Sequence, residues 1–189
     1  MNIRHGLLAI ALAGTAVAAS AQTVYFGFGG GATRINADCT GTISCDNNDT
    51  GWKAYGGYNI NPLFGVEAIG YDMGTPRAVV PIFGFGPVNA TLNTTGFALA
   101  GVINVPLGTT VDLMGRLGIA SNKLKAGVAG SGFSGSDSET STDALWGIGL
   151  GFRLTPNVSI RTEIDGTSAT FGGERFDSTL FSLGVSFRF

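Results

Sequence analysis

Charged side chains are the residues of this sequence that could carry chemistry, and they recur at alternate positions of several segments. Two carboxylates could hydrolyse a glycosidic bond if they stood at a fixed separation beside an accessible sugar. The same residues could instead form a ladder of ion pairs that fills a narrow interior, because a buried charge needs a partner. We favour the ladder, since the two signs are balanced. The acidic members are Glu67, Asp112, Glu163 and Asp165, and the basic members are Lys53, Arg116, Arg153 and Arg161.

Residues 1–21 are typical of a secretory signal peptide, and residues 22–189 are predicted to form one β-barrel domain. Arg4 and His5 give a short basic start, residues 7–19 are apolar, and positions 19–21 match the A-x-A cleavage pattern. Cleavage would remove His5, which is the only histidine. A Ser–His or Asp–His arrangement would then be impossible, so we predict that the protein is not an enzyme.

Two further motifs could bind ligands, but a structural interpretation fits each of them better. Gly27, Gly29 and Ala32 match the G-x-G-x-x-A pattern of dinucleotide sites, yet a polar stretch follows where such a site needs a helix. Residues 46–49 read Asp-Asn-Asn-Asp and lack the alternating ligand spacing of a calcium loop. We therefore predict neither a cofactor nor a metal site.

Cys39 and Cys45 are the two cysteines of the chain. An even pair in an exported protein indicates a disulfide. The surrounding residues are rich in Asp, Asn and Gly, which favour turns and loops. We expect one disulfide that closes a short surface loop.

The elements that must hold the charged residues are predicted to be β-strands. Phe181, Leu183, Val185, Phe187 and Phe189 alternate with small or polar residues, which is the period of a strand with two unlike faces. The segment at 97–104 is apolar on both faces, so its register stays open. Similar alternation is found in residues 24–29, 52–60, 64–67, 111–119, 146–154 and 158–165.

Eight such strands, joined by three short and four long connections, predict an antiparallel transmembrane β-barrel. The short turns contain Pro62, Pro106 and Pro156, and the longer loops cover about 35–50, 75–93, 121–143 and 166–177. The face opposite the large apolar residues is rich in Gly and Ser, which suits a crowded interior, so the apolar face should meet lipid. A soluble barrel with the apolar face inward is the alternative.

Several segments resemble the OmpA-like family of small outer-membrane β-barrel proteins of Gram-negative bacteria. The resemblance rests on the order and spacing of the motifs over the whole mature chain, and the segments that carry it are residues 38–46, 49–53, 56–58, 61–67, 116–118 and 154–161. Some relatives carry a C-terminal peptidoglycan-binding domain, which is not expected here. The resemblance implies location in the outer membrane, in contact with lipid and lipopolysaccharide.

The resemblance also implies roles for individual residues. An internal acid–base network is expected, with Glu67 paired to Arg116 or Arg161 and with Lys53 and Glu163 nearby. The terminal Phe189, at the end of an alternating strand, resembles the signal that the outer-membrane assembly machinery reads.

The function expected from these observations is structural and surface-interactive, with a lumen plugged by internal ion pairs. The alternative is a narrow porin-like channel for ions or small solutes. The apolar stretch 79–88 and the Gly/Ser-rich stretch 127–142 are candidate contact sites for host or envelope partners. A formal net charge of −2 argues against nucleic acid, and a monomer is expected.

Overall fold

The computed structural model describes residues 24–37, 39–82, 86–130 and 132–189. The predicted signal peptide at 1–21 lies outside the described residues and stays a prediction. Among the described residues, no helix is long and apolar enough to cross a membrane. The strands are β1 (Val24–Ile35), β2 (Ser44–Asp46), β3 (Asn48–Asn59), β4 (Phe64–Asp72), β5 (Arg77–Ile82), β6 (Gly86–Pro106), β7 (Val111–Gly130), β8 (Phe133–Arg153), β9 (Val158–Phe171) and β10 (Glu174–Arg188).

Eight of these strands form a closed antiparallel ring, in the order β1, β3, β4, β6, β7, β8, β9, β10 and back to β1. Strands β2 and β5 lie outside the ring: β5 pairs with the first residues of β6, and β2 pairs with β5. The ring has no free edge at the level of its paired strands, so backbone groups there can hydrogen-bond within the sheet. The predicted eight-stranded barrel is confirmed.

Alternation along each strand separates an outer apolar face from a packed interior. On β10 the side chains of Phe181 and Leu183 are 50% and 64% exposed, whereas Leu180 and Ser182 are buried. In the segment 97–104, whose register was open, Phe97 and its alternate neighbours face outward and the alanines face inward. The structure contradicts the alternative of a soluble barrel with an apolar ligand cavity, because the large apolar side chains are outside.

The outer ends of the strands differ from the prediction of long loops. Most of residues 77–93, 121–143 and 166–177 continue the strands as hairpins that extend beyond the apolar belt. Their Ser, Thr and Asp content is typical of loops, but Thr and Val also suit a pleated sheet once a neighbouring strand supplies hydrogen bonds. The turns at the tips of the hairpins are short. Gly172 and Gly173, with φ of 60° and 84°, form the turn between β9 and β10.

The predicted disulfide between Cys39 and Cys45 is confirmed. Its loop docks on the neighbouring hairpin, because Ser44, Cys45 and Asp46 pair with the Arg77–Val79 part of β5. The apolar stretch 79–88 supplies both arms of that hairpin in its described part. The stretch therefore belongs to the outer extension of the sheet.

Lipid exposure of the apolar belt gives a direct test of the fold. Leu117 on β7 is 73% exposed near the middle of the belt. We expect Leu117→Arg to lower the free energy of unfolding by about 2–4 kcal/mol, because lipid poorly solvates the guanidinium at that depth. Denaturant unfolding in lipid vesicles measures the change.

Val128→Arg is the matched control, since Val128 is an exposed residue of the same strand in the outer extension. Its expected effect is below about 1 kcal/mol. Equal effects of the two substitutions would contradict the placement of the belt.

Candidate functional site

A group of buried charged residues occupies the middle of the barrel and is the candidate site. All of its side chains come from inward-facing positions, and each residue is 4% exposed or less. Four strands contribute, so strands from opposite halves of the sequence meet in the lumen. We call this group the charge cluster; its members are Lys53, Glu67, Arg116, Arg161, Glu163 and Asp165.

Glu163 is the hub of the charge cluster. Its carboxylate lies 2.6 Å from Nζ of Lys53 and 2.8 Å from Nη2 of Arg161, and it also accepts a hydrogen bond from Nη2 of Arg116. One carboxylate therefore contacts all three cations of the cluster. Neutralisation of this residue would leave three cations with only two carboxylates, and so one uncompensated positive charge in the buried group.

The other two carboxylates complete the charge balance. Glu67 lies 3.2 Å from Nη1 of Arg116 and 3.2 Å from Nη2 of Arg161. Asp165 contacts Lys53 and lies 3.5 Å from Nη1 of Arg116. Three positive and three negative side chains thus form one connected group with no net charge.

Two tyrosines form the aromatic wall of the charge cluster. The hydroxyl of Tyr25 donates a hydrogen bond of 2.9 Å to Oε1 of Glu67. The guanidinium of Arg161 lies 4.3 Å from the ring centre of Tyr55, a cation–π geometry. The alternation in residues 24–29 and 52–60 puts both tyrosines on the face opposite the large apolar residues, but the sequence does not assign them to the site. Their size was the available signal, because the neighbouring inward positions are mostly glycine.

Glycine on the inner face makes room for these large side chains. A β-carbon on Gly57 would overlap the ring of Tyr25. A β-carbon on Gly147 would overlap the carboxylate of Asp165 and crowd the stem of Arg116. The glycine-rich inner face is therefore a packing requirement of the charge cluster.

The structure brings together all five residues predicted for the lumen network, and Asp165, which was predicted for the wider ladder, joins them. Glu67 contacts both of the arginines between which the prediction left a choice. Asp112 and Arg153 form a separate pair at the short-turn end, 2.9 Å apart and partly exposed. The eight charged residues of the predicted ladder thus divide into one deep cluster and one pair near the mouth.

The geometry of the charge cluster does not favour hydrolysis of a sugar. Glu67 and Glu163 are each held by at least two cations, and neither has an exposed face. A glycosidase needs its two carboxylates beside an open substrate site. The dinucleotide motif has an equally structural place, because Gly27, Gly29 and Ala32 lie within paired strand β1.

Phe189 lies at the short-turn end of the barrel with its side chain exposed. Its ring stacks on Phe26 with the centroids 5.4 Å apart, and its N–H donates to the carbonyl of Val24. The aromatic pair lies where the end of β10 meets the start of β1. The role of Phe189 as an assembly signal stays a prediction.

Comparison with known proteins agrees with this architecture. The family described as "Outer membrane protein beta-barrel domain" matches residues 6–189. The chain belongs to this family. Its location is therefore the outer membrane of a Gram-negative bacterium, and the resemblance to OmpA-like proteins is confirmed.

Curated relatives with the name Outer membrane protein A support the family membership. The chain is 32% identical to the Salmonella typhi protein over 196 residues, covering 96% of this chain and 54% of the relative. The Shigella flexneri protein is 33% identical over 148 residues, with 75% and 41% covered. The chain thus spans about half the length of these relatives.

Solved structures show the same fold. Ail, the attachment invasion locus protein of Yersinia pestis, has a TM-score of 0.60 at 21% identity, with 90% of this chain and all of that chain covered. OprG of Pseudomonas aeruginosa has a TM-score of 0.62 at 16% identity, with 89% and 97% covered. At these identities the likeness is one of fold.

Removal of one partner from the charge cluster should be costly. We expect Glu67→Gln to lower the free energy of unfolding by about 3–5 kcal/mol, because two arginines lose their shared carboxylate inside a low-dielectric lumen. Denaturant unfolding in lipid vesicles measures the loss.

Asp177→Asn is the matched control, because Asp177 pairs with Arg175 at the exposed outer tip. Its expected effect is below about 1 kcal/mol, since water screens an exposed pair. A similar loss of unfolding free energy for both variants would show that the buried charge cluster contributes no more to stability than an exposed ion pair.

Proposed function

We propose that this outer-membrane protein has a structural and surface-interaction role, without catalysis, and that the charge cluster seals its lumen. The observation that carries the proposal is the connected, charge-balanced group of six buried side chains between β3, β4, β7 and β9. Eight strands enclose a space only wide enough for side chains to fill. A solute would have to displace ion pairs to pass.

The short-turn mouth of the barrel supports a sealed lumen. A small cavity of about 30 Å³ lies there, between Asn59, Asn104, Arg161 and Arg188. This volume is close to that of a single water molecule. Arg161 forms its inner end and is itself part of the charge cluster. The cavity therefore stops where the ion pairs begin.

The alternative function, a narrow channel, requires the charge cluster to rearrange. Planar-bilayer recording of the refolded protein separates the two functions. We expect no stable single-channel steps from the unmodified chain, because breaking buried ion pairs leaves uncompensated charges. Reproducible steps of defined size would replace the sealed-barrel function with the channel.

The outer extension is the proposed contact surface, and its charges indicate which partner it meets. Lys123 and Lys125 on β7 are exposed and face away from the buried Asn122 and Leu124. Lys123 pairs with Thr95, two residues beyond the exposed Phe97, so both lysines lie just beyond the apolar belt. We propose that these two lysines bind the phosphates of lipopolysaccharide, since anionic head groups attract basic residues near a membrane surface.

Sulfated sugars suit the outer extension less well. The crystal structure of Ail was also determined in complex with the heparin analogue sucrose octasulfate. In the described outer extension of the present chain, acidic residues outnumber basic ones. Within residues 77–93, 121–143 and 166–177 the basic members are Arg77, Lys123, Lys125 and Arg175, and the acidic members are Asp137, Glu139, Asp143, Glu174 and Asp177.

These charges predict selective binding of lipopolysaccharide. We expect purified lipopolysaccharide to raise the unfolding temperature of the protein in detergent, whereas sucrose octasulfate should leave it unchanged. The double substitution Lys123→Ser with Lys125→Ser should weaken lipopolysaccharide binding by about 2 kcal/mol, roughly thirtyfold, at about 1 kcal/mol per lysine. Titration followed by thermal unfolding measures both effects.

Arg175→Ser is the control, because Arg175 is a basic residue at the outer tip, in an exposed pair with Asp177. It should keep the affinity of the unmodified protein. Stronger binding of sucrose octasulfate than of lipopolysaccharide would contradict the proposed partner.

A further inference from the structure

An apolar layer fills the lumen on the outer side of the charge cluster. It consists of four large side chains that face inward, each 2% exposed or less. They are Ile69 on β4, Met73 directly after β4, Leu145 on β8 and Leu180 on β10. Ala98 on β6 and Ala120 on β7 belong to the same contiguous group of buried residues, which also contains Ala100 and three tyrosines. We call the four large residues the apolar layer.

Strand register places the apolar layer directly beside the charge cluster. Leu180 on β10 is the pairing partner of Asp165, the outermost anion of the cluster on β9. On β4, Ile69 is the next inward residue after Glu67. Leu145 on β8 pairs with Thr167, the next inward position of β9 after Asp165. An ion that passed the cluster would therefore meet aliphatic side chains at once.

Some polar side chains that border the apolar layer bind each other, whereas the buried hydroxyls of Thr33 and Ser178 have no hydrogen-bond partner among the described residues. The amide Nδ2 of Asn122 donates a hydrogen bond of 2.9 Å to Oγ1 of Thr167. The hydroxyl of Tyr71 donates to Oδ1 of the same asparagine. The side chains of Asn122, Tyr71 and Thr167 satisfy one another and are therefore not available as ligands to an ion.

We propose that the apolar layer is a second barrier to ions, in series with the charge cluster, so that the lumen stays closed when the cluster alone is broken. The inference rests on the proposed sealed lumen and locates a further part of the seal. A hydrated ion that enters a narrow apolar constriction must shed water and gains few new ligands in return, and such constrictions exclude water as well. Breaking the ion pairs of the charge cluster changes neither the width of the apolar layer nor its exclusion of water.

The two barriers predict a distinctive pattern in planar-bilayer recordings of the full refolded chain. Glu67→Gln breaks the charge cluster, and Leu145→Ser with Leu180→Ser makes the apolar layer smaller and polar. Neither change alone should produce conductance, because the other barrier remains. The triple substitution should give single-channel steps at least tenfold more often than any of the other proteins.

The matched control moves the same polar change to the lipid side. Ile148→Ser with Leu183→Ser, in the Glu67→Gln background, alters the same two strands, β8 and β10, at exposed positions. This protein should remain silent, because its apolar layer is intact. Conductance here equal to that of the triple variant would overturn the inference, since general destabilisation would then explain the steps.

The remaining outcomes separate the inference from the proposed function. Steps from the unmodified protein would overturn the sealed lumen itself. A silent unmodified protein with frequent steps from Glu67→Gln alone would overturn only the apolar layer, as would a silent triple variant that folds. Folding is checked by the mobility shift between unboiled and boiled samples on SDS gels. If the serine variants do not fold, Leu145→Thr with Leu180→Thr in the Glu67→Gln background gives the same test with branched side chains.

Discussion

Closure of the sheet by the pairing of β1 with β10 is the constraint on which the rest of the structure depends. In hydrocarbon an unpaired backbone N–H or C=O costs several kcal/mol, so a sheet can cross a membrane only as a closed ring. Closure with eight strands also fixes the width of the lumen. A lumen this narrow must be filled by side chains, and large residues such as Tyr25 fit only where a glycine lies opposite.

The faces of the strands could be predicted because lipid and lumen impose opposite chemistry on alternate residues. The alternation of residue types in the sequence is enough to place Lys53 and Glu163 in the interior. The apolar layer was not predicted, because the face opposite the large apolar residues was expected to carry Gly, Ser and charged residues. Leu180 directly precedes Phe181, so the alternation that begins at Phe181 puts Leu180 on the inner face, but it does not show that other large apolar residues meet it there.

The outer ends of the strands were the least predictable part. A sequence rich in Ser, Thr and Asp does not distinguish a solvated loop from a solvated hairpin, because neither has an apolar face. The hairpins form because each outer segment continues the register of a strand that the membrane region has already fixed. The small strand β2 has the same origin: the disulfide loop lies beside β5 and adds a short strand to it.

The charge cluster also restricts the order in which the barrel can assemble. Lys53 and Glu67 come from the first half of the chain, whereas Arg161, Glu163 and Asp165 are all on the second-last strand. A partly assembled sheet without β9 would hold a lysine and a glutamate that lack most of their partners, and lipid would penalise those charges. An inserted intermediate that contains only the N-terminal strands is therefore unfavourable. Insertion is favourable only when β9 is also in place and the barrel closes.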